Sequence, residues 1–201
     1  MKIFSIEGNI GSGKSTLIDL LKKQKGYCFL PEPVDVWNEI KDSSGVTILE
    51  KYYKDPKKYA FSFQMMAYIT RLDIIKKHIV DNDTILITER SIYTDREIFA
   101  KMLHQNGDIE DVEYNIYLRW FDEFSTIHLD GIIYIKTTPE ICLSRVEKRN
   151  RKGEESIPLS YLQMCHTFHE EWINTCSNIL VIDGIPEHNE DTFHRIFDFI
   201  K

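Results

Sequence analysis

Short, almost continuously apolar runs alternate along the chain with segments in which apolar residues recur every three or four positions. The runs are Lys2–Glu7 (KIFSIE), Tyr27–Pro31 (YCFLP), Thr84–Thr88 (TILIT), Gly131–Lys136 (GIIYIK) and Asn178–Asp183 (NILVID). Their length and β-branched content predict strands, and their lack of polar alternation predicts strands covered on both faces. Helix-period sequence separates each from the next, so the pattern predicts an α/β fold with a parallel sheet, right-handed crossovers and flanking helices. With 201 residues and no repeat, linker or low-complexity tract, positions 1–201 read as one domain.

Two helical segments carry more apolar surface than a single face requires. From about Pro56 to Val80, Phe61, Met65, Tyr68, Leu72, Ile75 and Ile79 form one stripe, while Phe63, Met66, Ile69 and Ile74 lie on other faces. From about Val112 to Ile127 come Ile116, Tyr117, Trp120, Phe121 and Phe124. A helix apolar on several sides needs several partner surfaces. Either these helices fill a deep core or they pair with a second copy across a two-fold axis, and the small domain favours a homodimer.

A formal net charge of −7 excludes a broadly basic nucleic-acid-binding face, while local arginine clusters can still hold a small polyanion. No apolar run is long enough to cross a membrane and no cleavable leader is evident, so a cytoplasmic protein without membrane or nucleic-acid partners is expected. The four cysteines lack CxxC spacing and read as reduced thiols. Cys165, His166 and His169 are too few for a zinc site without further ligands and read as surface helix.

The sharpest motif is GNIGSGKS at 8–15, a full G-x-x-x-x-G-K-[ST] between a strand and a helical segment. Glycines let the backbone curl so that successive N–H groups face phosphate oxygens, and the helix N-terminus adds its partial charge. Lys14 brings a cation to the β- and γ-phosphates, and Ser15 offers a hydroxyl to Mg²⁺. Gly8, Asn9, Ile10, Gly11, Ser12, Gly13, Lys14, Ser15 and Thr16 are therefore the expected ATP-binding residues. The chain has no Asn-Lys-x-Asp element for guanine, and its small size points to a small-molecule kinase. Ligands of open parallel sheets gather at strand C-termini, and here these carry LPEPVDVW, with Glu32, and TERSIYTDR, with Glu89 and Arg90.

In sequence order, IEGNIGSGKST (6–16), PEPVDVW (31–37), YAFSFQ (59–64), ERSIYTDREIFA (89–100), LDGIIYIKTTPEICLSR (129–145) and IPLSYL (157–162) resemble the deoxynucleoside kinases of the deoxycytidine/deoxyguanosine/insect-type family. The resemblance implies a P-loop kinase with a five-stranded parallel sheet, a homodimer joined through a helix bundle, and Mg²⁺-dependent transfer of the ATP γ-phosphate to a deoxynucleoside 5′-hydroxyl. It implies Glu32 as base, Arg90 as its holder and a contact to the 5′ oxygen, and Glu89 with Ser15 at the metal. Gln64 would read the base edge, Trp37 and Phe99 would flank the ring, and Tyr53 and Glu154 would bind the sugar 3′-hydroxyl. In that family an Arg and an Asp at the positions of Arg71 and Asp95 accompany use of deoxycytidine and purine deoxynucleosides, so the resemblance implies these substrates rather than thymidine.

The charged run RVEKRNRKGEESI at 145–157 then reads as a flexible lid over the phosphates. Arg145 and Arg149, four apart, share a helical face, and Arg151 follows where the helix is expected to break near Gly153. Guanidinium groups suit phosphate oxygens. A loop at about Asn189–Phe193 is a further candidate, for adenine. Two rivals stand beside this reading: a deoxynucleoside monophosphate kinase, which would need a second basic site near Glu32, and a catalytically silent kinase-like subunit.

Overall fold

The computed structural model describes residues 1–23, 25–79, 84–151, 154, 157–185 and 190–201. Val80, Lys152, Gly153, Glu155, Ser156 and Asn189, which fall in the expected long helix, lid and adenine loop, lie outside the described residues. Five parallel strands, β1 (Ile3–Glu7), β2 (Tyr27–Leu30), β3 (Ile85–Glu89), β4 (Gly131–Lys136) and β5 (Ile179–Asp183), lie in the order β2-β3-β1-β4-β5. Between them run α1 (Lys14–Leu21), α2 (Val34–Glu39), α3 (Ile48–Lys54), α4 (Pro56–Ile79), α5 (Ile92–Thr94), a π-helix (Asp95–Ala100), α6 (Lys101–Gln105), α7 (Asp111–Phe124), α8 (Pro139–Arg149) and α9 (Leu159–Ile173), with α10 (Glu190–Ile200) last. The expected α/β class and parallel sheet are thus present.

Both sheet faces are covered, which explains the unbroken apolar strands. On one face Phe4, Ile6, Ile87, Ile133 and Ile135 pack with Leu17, Ile18 and Leu21 of α1 and Ile196 and Ile200 of α10. On the other, Ile3, Leu30 and Leu86 meet Tyr68, Leu72 and Ile75 of α4 and Tyr117 and Phe121 of α7.

α4 resolves its many apolar faces by splitting them. Tyr68, Leu72 and Ile75 face the sheet, whereas Ala60, Phe63, Met66 and Ala67 join a second cluster with Trp37 and Leu49. The expected stripe is buried only in its middle: Phe61 and Met65 are half-buried against the same cluster and Ile79 is exposed, as is Ile69 on another face. On α7, Val112, Ile116, Trp120 and Phe124 repeat every four residues and all remain exposed. Two further expectations are corrected. Cys165 and His169 are fully buried rather than on a surface helix. α8 ends at Arg149, where Asn150 takes the left-handed conformation (φ 48°), three residues before Gly153; asparagine tolerates that cap position, so the helix stops at the first residue able to fill it.

Candidate active site

Sheet register assembles the site. Ile6 pairs with Glu89, and the Arg90 N–H donates to the Ile6 carbonyl at 3.0 Å, so the loops after β1 and β3 leave side by side. Leu30 pairs with Thr88, which places Glu32 and Arg90 each two residues beyond that pairing. Arg90 itself is left-handed, with φ 60°, a conformation uncommon outside glycine. In the phosphate loop, a Cβ on Gly8 would lie 2.6 Å from the Ile135 carbonyl oxygen, and one on Gly11 2.5 Å from that of Cys142. Only glycine lets the loop pass so close to its neighbours.

Four charged side chains interlock beyond the strand ends. Arg90 Nη1 donates to both Glu32 oxygens at 2.7 and 2.9 Å, and Arg71 Nη2 donates to Glu32 Oε1 at 2.9 Å. Arg71 Nε donates to Asp95 Oδ2 at 2.9 Å, and its Nη1 to the Glu89 carbonyl at 2.8 Å. Burial alone would raise the Glu32 pKa, but Arg90, Arg71 and Lys14 outweigh it and hold the carboxyl at about 2. At Asp95 burial prevails over Arg71 and pushes the carboxyl up to about 6. The π-helix delivers Asp95 to this cluster and, four residues on, sets Phe99 with its ring 5.2 Å from the Arg90 guanidinium; π-turns recur at functional sites.

At the phosphate loop, Lys14 Nζ donates to the Gly8 and Asn9 carbonyls at 3.0 and 2.7 Å. Its burial, helped by Arg90, lowers the Lys14 pKa to about 7 against the pull of Glu89 and Glu32. Arg145 donates to the Ser12 carbonyl at 3.0 Å and to that of Gly184 at 2.8 Å, tying α8 to the loop. Arg149 and Arg151 both donate to Glu154, the second at 3.2 Å.

One cavity of about 1000 Å³ joins these parts. Its walls include Ile10, Gly11, Gly13, Lys14, Ser15 and Thr16 of the loop and Glu32, Trp37, Tyr53, Gln64, Arg71, Asp95 and Phe99. Glu89, Arg90, Arg145, Arg149, Arg151 and Glu154 also line it. Gly8, Asn9 and Ser12 do not. The Asn9 side chain turns away, donating to the Leu162 carbonyl of α9 at 2.8 Å, and Ser12 is fully buried. Glu190–Phe193 are not among its walls either: they open α10 as helix where a loop was expected, and Phe193 packs on the sheet core.

Further wall residues were not singled out from the sequence. Phe63 and Ala67 flank Gln64 on α4, and the helical spacing i−1, i+3 was an available signal. Tyr161 of α9 meets Tyr52 of α3, hydroxyl to hydroxyl, at 2.8 Å; no sequence spacing foretells that contact. Ser15 Oγ donates to Glu89 Oε1 at 2.7 Å. A hydroxyl and a carboxylate at a phosphate loop are the hard oxygen ligands Mg²⁺ takes, with phosphates and water completing its shell, so these residues fit that ion.

A phosphate-gripping loop opening into a cavity with a clamped carboxylate defines a P-loop phosphotransferase. Over residues 4–201 the chain matches the deoxynucleoside kinase family; it belongs to that family, whose phosphoryl donor is ATP. It is 38% identical over 215 aligned residues to a probable deoxycytidine kinase of Fowlpox virus (strain NVSL), covering 100% of this chain and 88% of that protein. Deoxycytidine kinase 2 of Gallus gallus is 38% identical over 86% of this chain and 74% of its own. The mitochondrial deoxyguanosine kinase of Xenopus laevis is 35% identical over 86% and 73%. Among the described residues no helix is long and apolar enough to cross a membrane.

Proposed function

We propose that this kinase phosphorylates the 5′-hydroxyl of deoxycytidine or a purine deoxynucleoside in preference to thymidine. The observation that carries the preference is the Arg71–Asp95 pair on the cavity wall beside Gln64, whose buried Oε1 has no hydrogen-bond partner. A free acceptor next to a fixed guanidinium–carboxylate pair suits a base edge that offers an amino group and ring nitrogens. The ring lies between Trp37 and Phe99, and the 3′-hydroxyl reaches Tyr53 and Glu154.

Glu32 orients the 5′-hydroxyl and takes its proton late, because phosphoryl transfer is loose and the attacking oxygen stays protonated until the bond to phosphorus forms. Its two arginines fix that geometry, and Arg90 also faces the 5′ oxygen. Lys14 and the loop N–H groups hold the β- and γ-phosphates. Arg149 and Arg151 exchange Glu154 for the γ-phosphoryl oxygens, while Arg145 keeps the lid helix on the loop. Mg²⁺ held by Ser15 and Glu89 would neutralise phosphate charge.

A coupled assay with ATP, Mg²⁺ and a panel of deoxynucleosides and their monophosphates tests this reading. Deoxycytidine or a purine deoxynucleoside is expected to be the best acceptor. Thymidine turned over at least about tenfold faster than all of these would sink the base preference. Turnover of monophosphates alone would favour the monophosphate-kinase alternative, and no turnover at all the silent subunit.

The working unit we propose is a homodimer joined through α4 and α7. In support, Val112, Ile116, Trp120 and Phe124 form an exposed apolar row on α7, and Ile69 of α4 is exposed as well, apolar helix surface of the kind two-fold partners share. Sedimentation should give a dimer for the native chain and a monomer for Trp120→Glu. A cytoplasmic setting is supported by the four free thiols Cys28, Cys142, Cys165 and Cys176.

A further inference from the structure

The acceptor wall has a fastening outside the cavity. Trp37 is 5% exposed and donates its indole N–H to Thr70 Oγ1 at 2.9 Å. The Thr70 hydroxyl proton is already committed inward, because Oγ1 lies 2.7 Å from the Met66 carbonyl and 3.1 Å from that of Ala67 on its own helix. A hydroxyl has one proton and two lone pairs. With the proton turned into α4, a lone pair remains for the indole. Valine has the same shape and offers neither group.

Adjacent residues of α4 thus grip both ends of one short segment. Arg71 holds Glu32 at 2.9 Å, and Thr70 holds Trp37 five residues later. α2, which carries Trp37, has only six residues and no side-chain N-cap bond, so little within it fixes its own orientation. Trp37 lines the cavity and meets Phe63 edge-on at a centroid distance of 5.5 Å, whereas Thr70 does not line it.

We propose that Thr70 is a positioning residue for acceptor binding: by accepting the Trp37 N–H it fixes the indole plane against which the nucleoside ring rests. This rests on reading the cavity as a deoxynucleoside site. Thr70 touches neither substrate, so its effect falls on the acceptor and spares the donor.

The test compares Thr70→Val, Thr70→Ser, Trp37→Phe and the double variant Trp37→Phe/Thr70→Val in the full chain. Readouts are KM for each substrate, kcat, and solvent exchange of the Trp37 indole proton by NMR. Thr70→Val should raise the deoxynucleoside KM about tenfold, leave the ATP KM within about twofold, and make the indole proton labile. Thr70→Ser should stay near the native values, since it keeps the hydroxyl. In the Trp37→Phe background, which has a ring but no N–H, Thr70→Val should add nothing. The proposal falls if Thr70→Val frees the indole proton without changing the nucleoside KM, or if both KM values move together. It also falls if the valine effect persists in the Trp37→Phe background, a comparison that stands even where a single variant folds poorly. Native protein that turns over no deoxynucleoside would instead overturn the kinase reading of the pocket, while indole exchange would still report on the bond.

Discussion

The side chains of Glu32, Arg71, Arg90 and Asp95 are 13%, 4%, 6% and 2% exposed, and each ion pair shares a member with the next. Arg149 and Arg151 are 34% and 35% exposed and, among the described residues, meet at Glu154, which is 6% exposed. The first group stands on α4, the π-helix and the residues just after β3 and β2, and the second on the end of α8 and the residues after it. Removing charges from water costs several kcal/mol per ion unless every group is paired with good geometry. The acceptor cluster meets most of that condition before any substrate arrives, with Arg90 Nε left buried and without a partner, so its geometry is largely set by folding. The lid arginines are themselves about a third exposed, but Glu154 is 6% exposed, so they leave it for a phosphate only where another group, such as the sugar hydroxyl proposed for it, takes up its carboxylate. One end of the cavity is built in advance, and the other is completed by its ligand.

The largest effect should come from breaking the built end. Glu32→Gln keeps the shape and removes the charge. We expect kcat to fall by about 10²–10⁴-fold, the range for loss of a positioned base. Unfolding free energy should fall as well, by about 3–5 kcal/mol, because Arg90 loses its carboxylate while buried. Coupled-assay kinetics and denaturant unfolding measure the two. An unchanged unfolding midpoint would mean that the cluster is not part of what folding fixes.

The parts legible in the sequence were those carried by one continuous segment or by strand order. GNIGSGKS needs only its own backbone to make a phosphate loop, and Glu32, Glu89 and Arg90 stand at strand ends where ligands of parallel sheets gather. Arg71 and Asp95 came through family resemblance, since nothing in their spacing signals the π-turn that aims Asp95. Thr70 gave no sign, because its role depends on which lone pair remains after two backbone carbonyls are served. Asn9 sits inside the motif, yet its side chain is claimed by the Leu162 carbonyl, a contact 153 positions away. The helix end at Asn150 was misplaced because Asn150 and Gly153 both suit a left-handed cap, and the nearer one took it.

A smaller effect, of a different kind, should come from the lid. Arg149→Ala removes one donor to the moving phosphoryl group, and kcat should fall by about 10–100-fold. Stability should fall by less than for Glu32→Gln, because Arg151 still pairs with the buried Glu154 carboxylate. The deoxynucleoside KM should hold, because the acceptor wall does not depend on this arginine. The contrast between the two ends would collapse if Arg149→Ala destabilised the fold as much as Glu32→Gln.

Lys14 lies between the two regimes and should give the smallest effect. It is as buried as the acceptor charges, but its hydrogen bonds go to two backbone carbonyls, and its pKa is drawn down to about 7. Above that pH the free protein holds a growing fraction of neutral amine. Bound phosphate favours the ammonium form and raises its pKa, so ATP binding at pH 8 should take up a proton. The sign follows directly: affinity is greatest below pH 7 and weakens as pH rises, by roughly fivefold between pH 7 and 8 for a pKa near 7. Calorimetry in two buffers of different ionisation enthalpy counts the proton, and subtracting the Lys14→Met result removes titration of ATP itself. No difference in uptake between native and Lys14→Met protein would show that Lys14 is already charged in the empty site, and so belongs with the charges that folding alone sets.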